Sequence, residues 1–259
     1  IITNPLILVG MSCLEWLSYH SANRCIGLSP GIVEGIKKRG VKSNKIALVP
    51  NGCDLSIFGA EAKRWRPEGV NKTDLMAIFT GTHGVANGLN AALDAAKELK
   101  VRGREDIKLV FVGQGKLKPQ LQERAKKESL DNVFFHSPVN KEKLAGLMAS
   151  ADVGMQLLSN TPAFYFGTSP NKFFDYISSG LPVLNNYPGW LSEMIKDNNC
   201  GYSVVPDDAK AFADALVDAA GNRDRLLVMG GSSKALAQRE FSRQDLADKW
   251  VDWLEGVGI

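Results

Sequence analysis

The stretch LMAIFTGTHGVANGLNAALDAAKELKVRGREDIKLVFVGQGK, Leu75 to Lys116, decides the fold. An apolar run, LMAIFTG (75–81), stops at a glycine loop, TGTHGVANG (80–88). An amphipathic segment over 87–101 follows, and a second apolar run, IKLVFVG (107–113), stops at a second glycine loop, VGQGKLK (112–118). Short runs that are apolar at nearly every position suit strands covered on both faces, and the helical period between them is the crossover of a βαβ unit.

The alternation extends both ways. Further strands are expected at CIGLS (25–29), KIALVP (45–50), NVFFHS (132–137), VGMQLL (153–158), LPVLNN (181–186) and GYSVV (201–205). Helices are expected near 11–23, 30–39, 115–129, 140–149, 170–179, 190–197, 208–220, 222–238 and 242–254. The fold class is therefore α/β, a doubly wound parallel sheet. Residues after 73 hold enough units for one complete domain, whereas the two strands before them are too few for an independent parallel sheet. Gly52–Thr73, GCDLSIFGAEAKRWRPEGVNKT, has no clear period, gathers glycine, proline and charge, and reads as a linker.

At 259 residues the chain has room for one to two domains. Its 44% hydrophobic and 23% charged content suits a soluble globular protein and excludes a disordered one. A net charge of +3 with no long like-charge run gives no argument for nucleic acid. Cys13, Cys25, Cys53 and Cys200 form no Cys-x-x-Cys pair and adjoin no histidine cluster, so no metal site is expected and a reduced, cytoplasmic chain is the simplest reading. ITNPLILVGMSCLEWL lacks the basic leader of a signal peptide and is too short to span a bilayer.

Ligands of parallel α/β folds bind beyond the carboxyl ends of strands, where glycine loops enter helices. Neither glycine loop has the G-x-G-x-x-G spacing with a following acidic residue, and G-x-x-x-x-G-K-[ST] is absent, which disfavours nicotinamide cofactors and P-loop chemistry. No G-x-S-x-G or H-E-x-x-H occurs, and the histidines are only His20, His83 and His136. Each loop also has a plain reading: tight turns need glycine, His83 is a packed or capping residue, and Lys116 is a solvated lysine.

A third candidate is SPNKFFDYISSGLPV, 169–183. Ser169 stands as N-cap, Pro170 at the first helical position, Phe173, Phe174 and Ile177 supply the apolar face, and Gly180 and Pro182 end the helix. Lys172 then puts a cation at the positive end of the helix dipole, at a cost of about 0.3–1 kcal/mol unless an anion binds there. A surface ion pair with Asp175, worth roughly 0–1 kcal/mol, explains the charges but not their place in the first turn.

The run IGLSPGIVEGIKKRGV…KIALVPNGCDLSIF, the glycine loop after a strand, LVFVGQGKLKPQL, VFFHSPVNKEKLAGLMASADVGM, SPNKFFDYISSGLPV and the late GYSVVPDD resemble, in that order, the family 4 glycosyltransferases. The likeness runs from about Ser29 to Phe241. The S-P-N-K form and the T-G-x-H-G loop are most similar to bacterial transferases of amino-sugars in O-antigen or capsule assembly.

The resemblance implies a GT-B architecture of two Rossmann-like domains facing across a cleft, with this chain carrying the donor domain and a partial N-terminal domain. On that basis 1–51 is the remnant of the acceptor domain, 52–73 the linker, 74–240 the nucleotide-sugar-binding domain, and 241–259, with Trp250 and Trp253, a helix crossing toward the N-terminal domain; the chain is then a fragment. The implied activity is transfer of a sugar, of N-acetylated type, from a UDP-sugar to a lipid-linked or polysaccharide acceptor, with retention, no metal and no other cofactor. The implied setting is the cytoplasm, peripheral to the inner membrane. A nucleotide-sugar epimerase of the same fold and a non-catalytic nucleotide-sugar-binding module are the alternatives.

Carried over by residue, Gly81, Thr82 and Gly84 approach the phosphates with Gly113, Gly115 and Lys116. Pro138 and Val139 frame the base, and Ser169, Pro170 and Asn171 face the donor sugar and diphosphate. Asp175 binds the ribose, and Lys172 and His83 are the catalytic candidates. Two departures stand out: Gly167 occupies the place of the first of two carboxylates, and the usual arginine and lysine of the first glycine loop are missing.

Overall fold

The computed structural model describes residues 3–58 and 62–256. Its elements run α1 (Pro5–Ser21), β1 (Cys25–Gly27), α2 (Pro30–Lys38), β2 (Ile46–Leu48), β3 (Leu75–Thr80), α3 (Asn90–Val101), β4 (Ile107–Val112), α4 (Lys118–Lys127), β5 (Val133–His136), α5 (Lys141–Met148) and β6 (Val153–Gln156). They continue α6 (Pro162–Gly167), α7 (Asn171–Ser178), β7 (Val183–Asn185), α8 (Trp190–Asp197), β8 (Gly201–Ser203), α9 (Ala209–Gly221), α10 (Arg223–Glu240) and α11 (Arg243–Glu255).

The chain divides into two units: residues up to Asn51 with Phe166–Ser169 and the stretch from Gln244 on, and Gly52–Tyr165 with Pro170–Arg243. In the second unit six parallel strands lie in the order β5-β4-β3-β6-β7-β8. Every residue of β3 is buried, as its unbroken apolar run requires of a strand covered on both faces. Leu75, Ala77 and Phe79 pack with Leu93 and Leu99 of α3 and with Phe212 and Leu216 of α9 in one core. Strand order reverses between β3 and β6, so the crevice beyond their carboxyl ends is the topological switch point, where ligands of such sheets bind.

In the first unit β1 and β2 form a two-stranded parallel sheet. Cys25, Ile36 and Val41 are its small core. The Trp253 indole N–H donates to the Cys25 carbonyl at 3.2 Å, and the Arg24 guanidinium lies 4.8 Å over the Trp253 ring, so this tryptophan is a packed residue. No helix among the described residues is long and apolar enough to cross a membrane.

Three expectations change. α1 starts at Pro5, not near 11: the Asn4 side chain accepts from the Leu6 N–H at 3.0 Å, and the apolar run LILVGM forms the first turns of the helix. α6 was not expected. The segment expected as a linker is held against the second unit, residues 59–61 of it lying outside the described residues. Arg66 donates to the carbonyls of Asn71 at 2.8 Å, Asp74 at 2.9 Å and Ser150 at 2.8 Å, and to the Asp152 carboxylate at 3.1 Å. Trp65 donates its indole N–H to the Lys143 carbonyl at 2.6 Å. Long-range partners of this kind leave no periodic trace in a sequence.

Candidate functional site

The two glycine loops expected from the sequence are stitched together at the carboxyl edge of β3 and β4. Gly81 donates its N–H to the Val112 carbonyl at 2.9 Å, His83 to the Gln114 carbonyl at 3.0 Å, and Leu117 to the His83 carbonyl at 3.0 Å. Gly113 has φ +154°, and a Cβ there would lie 1.9 Å from the Gly81 oxygen, so no other residue fits. A Cβ on Gly115 would lie 2.5 Å from the His83 oxygen. These glycines are required by loop-to-loop contact.

The end of β3 is fixed from α7. The Thr80 N–H donates to the Tyr176 hydroxyl at 2.9 Å, and Gly154 of β6 makes room for that ring, since a Cβ would approach it to 2.5 Å. Beside these loops opens a hollow of about 340 Å³, lined by Gly81, Thr82, Gly113, Gln114, Pro138 and Val139 among others. Five of the residues expected to meet a donor, Gly81, Thr82, Gly113, Pro138 and Val139, thus share this lining.

Lys172 stands in the first turn of α7. The N-cap is Pro170, not Ser169, and no side chain caps the helix. The Ser169 hydroxyl accepts instead from the Asn51 N–H at 3.1 Å, and its carbonyl accepts from Asn51 Nδ2 at 2.5 Å. Asn171 is exposed.

The plain alternative, a Lys172–Asp175 surface ion pair, does not form among the described residues. The Lys172 ammonium donates to Asn87 Oδ1 at 2.7 Å and lies 4.4 Å over the Phe79 ring. Among the described residues no carboxylate pairs with it, and burial pulls its pKa down to about 8. One turn on, burial pushes the Asp175 carboxyl up to about 6, against the pull of Arg243 and Lys141. The half-buried pair presents an uncompensated cation and a carboxylate poised near neutrality.

His83 is removed from the residues that meet a substrate. Its ring is fully buried, 6.1–6.3 Å from the rings of Phe79, Phe111 and Phe135, and among the described residues both ring nitrogens lack a hydrogen-bond partner. Burial, with Lys118 adding repulsion, lowers its pKa to about 4, so the imidazole is neutral near pH 7. Its ring packs among these phenylalanines, while its backbone N–H and carbonyl join the two loops.

Lys116 is exposed, and the lysine that matters to loop structure is Lys118. Its Nζ is buried and donates to the Gly113 carbonyl at 2.8 Å and the His136 carbonyl at 2.9 Å, tying the second loop to the end of β5. Neither Lys118 nor Asn87 was given a role from the sequence. A polar residue at a helix start or in a turn carries no sign of which distant carbonyl or ammonium it meets. Among the described residues no three His, Cys, Asp or Glu side chains cluster.

A family model described as glycosyl transferases group 1 matches residues 61–235. The chain is 23% identical over 236 residues, 90% of this chain and 60% of the relative, to the O-antigen chain mannosyltransferase C of Escherichia coli. It is 27% identical over 182 residues, 70% of this chain and 43% of the relative, to the GDP-mannose-dependent alpha-(1-6)-phosphatidylinositol dimannoside mannosyltransferase of Mycobacterium tuberculosis. The crystal structure of Anabaena Alr3699/HepE in complex with UDP and glucose superposes with a TM-score of 0.77 at 14% identity, covering 95% of this chain and 67% of that one. That likeness shows the fold. The chain spans about half the length of the curated relatives it matches.

Proposed function

The chain belongs to the glycosyl transferases group 1, and from that membership we propose that its second unit binds a nucleotide-activated sugar for a transferase that builds a surface polysaccharide or glycolipid. One observation carries the reading: the Lys172 ammonium is held at the switch-point edge of the sheet by an amide oxygen and an aromatic face, with its charge unneutralised. A half-buried cation with no anionic partner is costly in the free protein, and a diphosphate is the partner that repays it.

In this reading the diphosphate lies against Lys172 and the unpaired amides at the start of α7. When the bond between the anomeric carbon and the diphosphate oxygen breaks, negative charge grows on that oxygen, and a fixed ammonium in a partly dry site stabilises it. Asp175, ionised, accepts from the ribose hydroxyls. Pro138 and Val139 border the base in the hollow beside the glycine loops.

The finer reading is a UDP-linked, N-acetylated sugar transferred with retention, without a metal, to a lipid-linked or polysaccharide acceptor at the inner membrane. The S-P-N-K and T-G-x-H-G forms support the sugar and its pathway class. UDP in the Anabaena structure supports the base, against the GDP-mannose named for the mycobacterial relative.

Titration calorimetry with UDP, GDP, UDP-N-acetylglucosamine and GDP-mannose tests this. UDP compounds are expected to bind, unaffected by EDTA, and Lys172→Met to weaken them at least tenfold. Absence of binding to all four, or a Lys172→Met variant equal to wild type, would remove the proposal. Tighter binding of the GDP compounds would overturn the choice of base alone.

A further inference from the structure

Among the described residues the Lys172 ammonium has one hydrogen-bond acceptor, Asn87 Oδ1 at 2.7 Å, and that amide is itself fixed, because its Nδ2 donates to the Thr82 carbonyl at 2.7 Å. The two bonds determine which way the amide faces: a flipped side chain would set NH₂ against the ammonium and oxygen against a carbonyl. Asn87 closes a one-turn 3-10 helix, Val85–Asn87, its N–H donating to the Gly84 carbonyl at 3.2 Å. Gly88 follows in the left-handed region at φ 55°, and the Ser159 N–H donates to the Ala86 carbonyl at 2.9 Å. The turn is therefore braced from the loop after β6 as well as from its own loop.

An amide oxygen, like the carbonyls that hold Lys118, places an ammonium without neutralising it. Of the three ammonium N–H groups, one goes to Asn87 and the Phe79 face accepts none strongly, so donors remain for an anion. A carboxylate at residue 87 would form an ion pair and withdraw the charge. No charged side chain of β3, of the loop 81–88 or of α7 is among the causes acting on Lys172, which is shifted by burial alone. His83, the titratable group of that loop, faces Phe79, Phe111 and Phe135.

We propose that Asn87 is a positioning residue: it sets the Lys172 ammonium at the edge of β3 and leaves its charge free for a diphosphate. The proposal rests on the nucleotide-sugar reading above. It makes residue 87 an electrostatic choice, with shape and polarity kept in Asn87→Asp but the charge of Lys172 cancelled.

The test uses the whole chain as wild type, Asn87→Asp and Asn87→Ala, with Lys172 assigned by NMR of methylated lysines through loss of its signal in Lys172→Met. Asn87→Asp is expected to raise the pH at which Lys172 deprotonates, and to weaken UDP at least tenfold while leaving uridine unchanged. Asn87→Ala, which loses the anchor but keeps the charge, is expected to weaken UDP by a smaller factor. An Asn87→Asp protein whose Lys172 titration and UDP affinity match wild type overturns the role of Asn87. Equal weakening of uridine and UDP overturns it too, because the loop rather than the charge is then at fault. Wild-type protein that binds neither UDP nor GDP overturns the nucleotide reading itself, and the diphosphate role with it.

Discussion

Between about pH 6 and pH 8 Asp175 carries a negative charge and Lys172 a positive one, since burial has moved the first up to about 6 and the second down to about 8. Affinity for a sugar nucleotide, whose diphosphate does not titrate near neutrality, is expected to peak in that window. It falls above it as Lys172 deprotonates and below it as Asp175 protonates; a pH-independent affinity across calorimetric runs would contradict both assignments. Stability runs the other way. Lysine titrates at 10.5 when free and at about 8 here, so the folded chain binds fewer protons than the unfolded chain between those values and gains stability as pH rises through them. Below about 8 the penalty is fully present, and at about 1.4 kcal/mol per pK unit it reaches roughly 3 kcal/mol. Lys172→Met should therefore stabilise the ligand-free protein at pH 7 by on the order of 1–3 kcal/mol in urea denaturation, while losing the diphosphate. His83→Phe should leave nucleotide affinity unchanged and lower stability by no more than about 1 kcal/mol, because the ring it replaces is neutral, buried and unpartnered. A large loss of affinity would return His83 to the binding residues.

At the scale of elements, the loop pair 80–88 and 112–118 depends on two chains of backbone passing closer than any Cβ allows. Gly113→Ala combines a φ of +154° with a contact of 1.9 Å to the Gly81 oxygen, and is expected to cost about 2–4 kcal/mol with loss of nucleotide binding. Thermal denaturation measures the first, calorimetry the second; an unchanged melting temperature would mean that the loops separate at no cost. Strand-loop-helix order was legible here because β3 and β4 are apolar at nearly every position and are each followed by a glycine. The partners of the loops were not. Lys116 and Lys118 stand two residues apart in one polar stretch, and only the folded backbone puts the Gly113 and His136 carbonyls within reach of Lys118. The start of α7 was misread by one residue for a related reason: Ser169 has the right chemistry for a cap, but Asn51, 118 positions earlier in the chain, takes its hydroxyl.

At the scale of the molecule, α1 carries apolar residues on every side, interrupted by Ser12, Glu15, Ser18 and His20, and none of its residues is fully buried. Leu6 is 81% exposed, Leu14 66% and Leu17 57%. Apolar surface of this extent drives association, so the chain by itself is expected to sediment as concentration-dependent oligomers and to bind a hydrophobic dye. Leu14→Glu with Leu17→Glu should suppress both without lowering the melting temperature, because neither side chain supports the core; a drop in melting temperature would show that α1 packs in solution. The lack of a one-sided stripe also hid the first turns of this helix, since periodicity identifies a helix only when one face differs from the other. The segment 62–73 was hidden differently, its order coming from Arg66 and Trp65 meeting Ser150, Asp152 and Lys143 some 80 residues later.

The sequence by itself determined the parallel α/β fold, the two glycine loops and the cation at the head of the SPNK helix. Each of these is written in local terms: a run of apolar residues, a glycine, a charge within one turn of a helix start. The tertiary structure decided what those groups are for. It buried His83 and left it neutral, separated Lys172 from Asp175, and set Asn87 against the ammonium, 85 positions away along the chain. Charge, burial and pKa at a site depend on distances across the fold, and those distances exist only after the strands have taken their order.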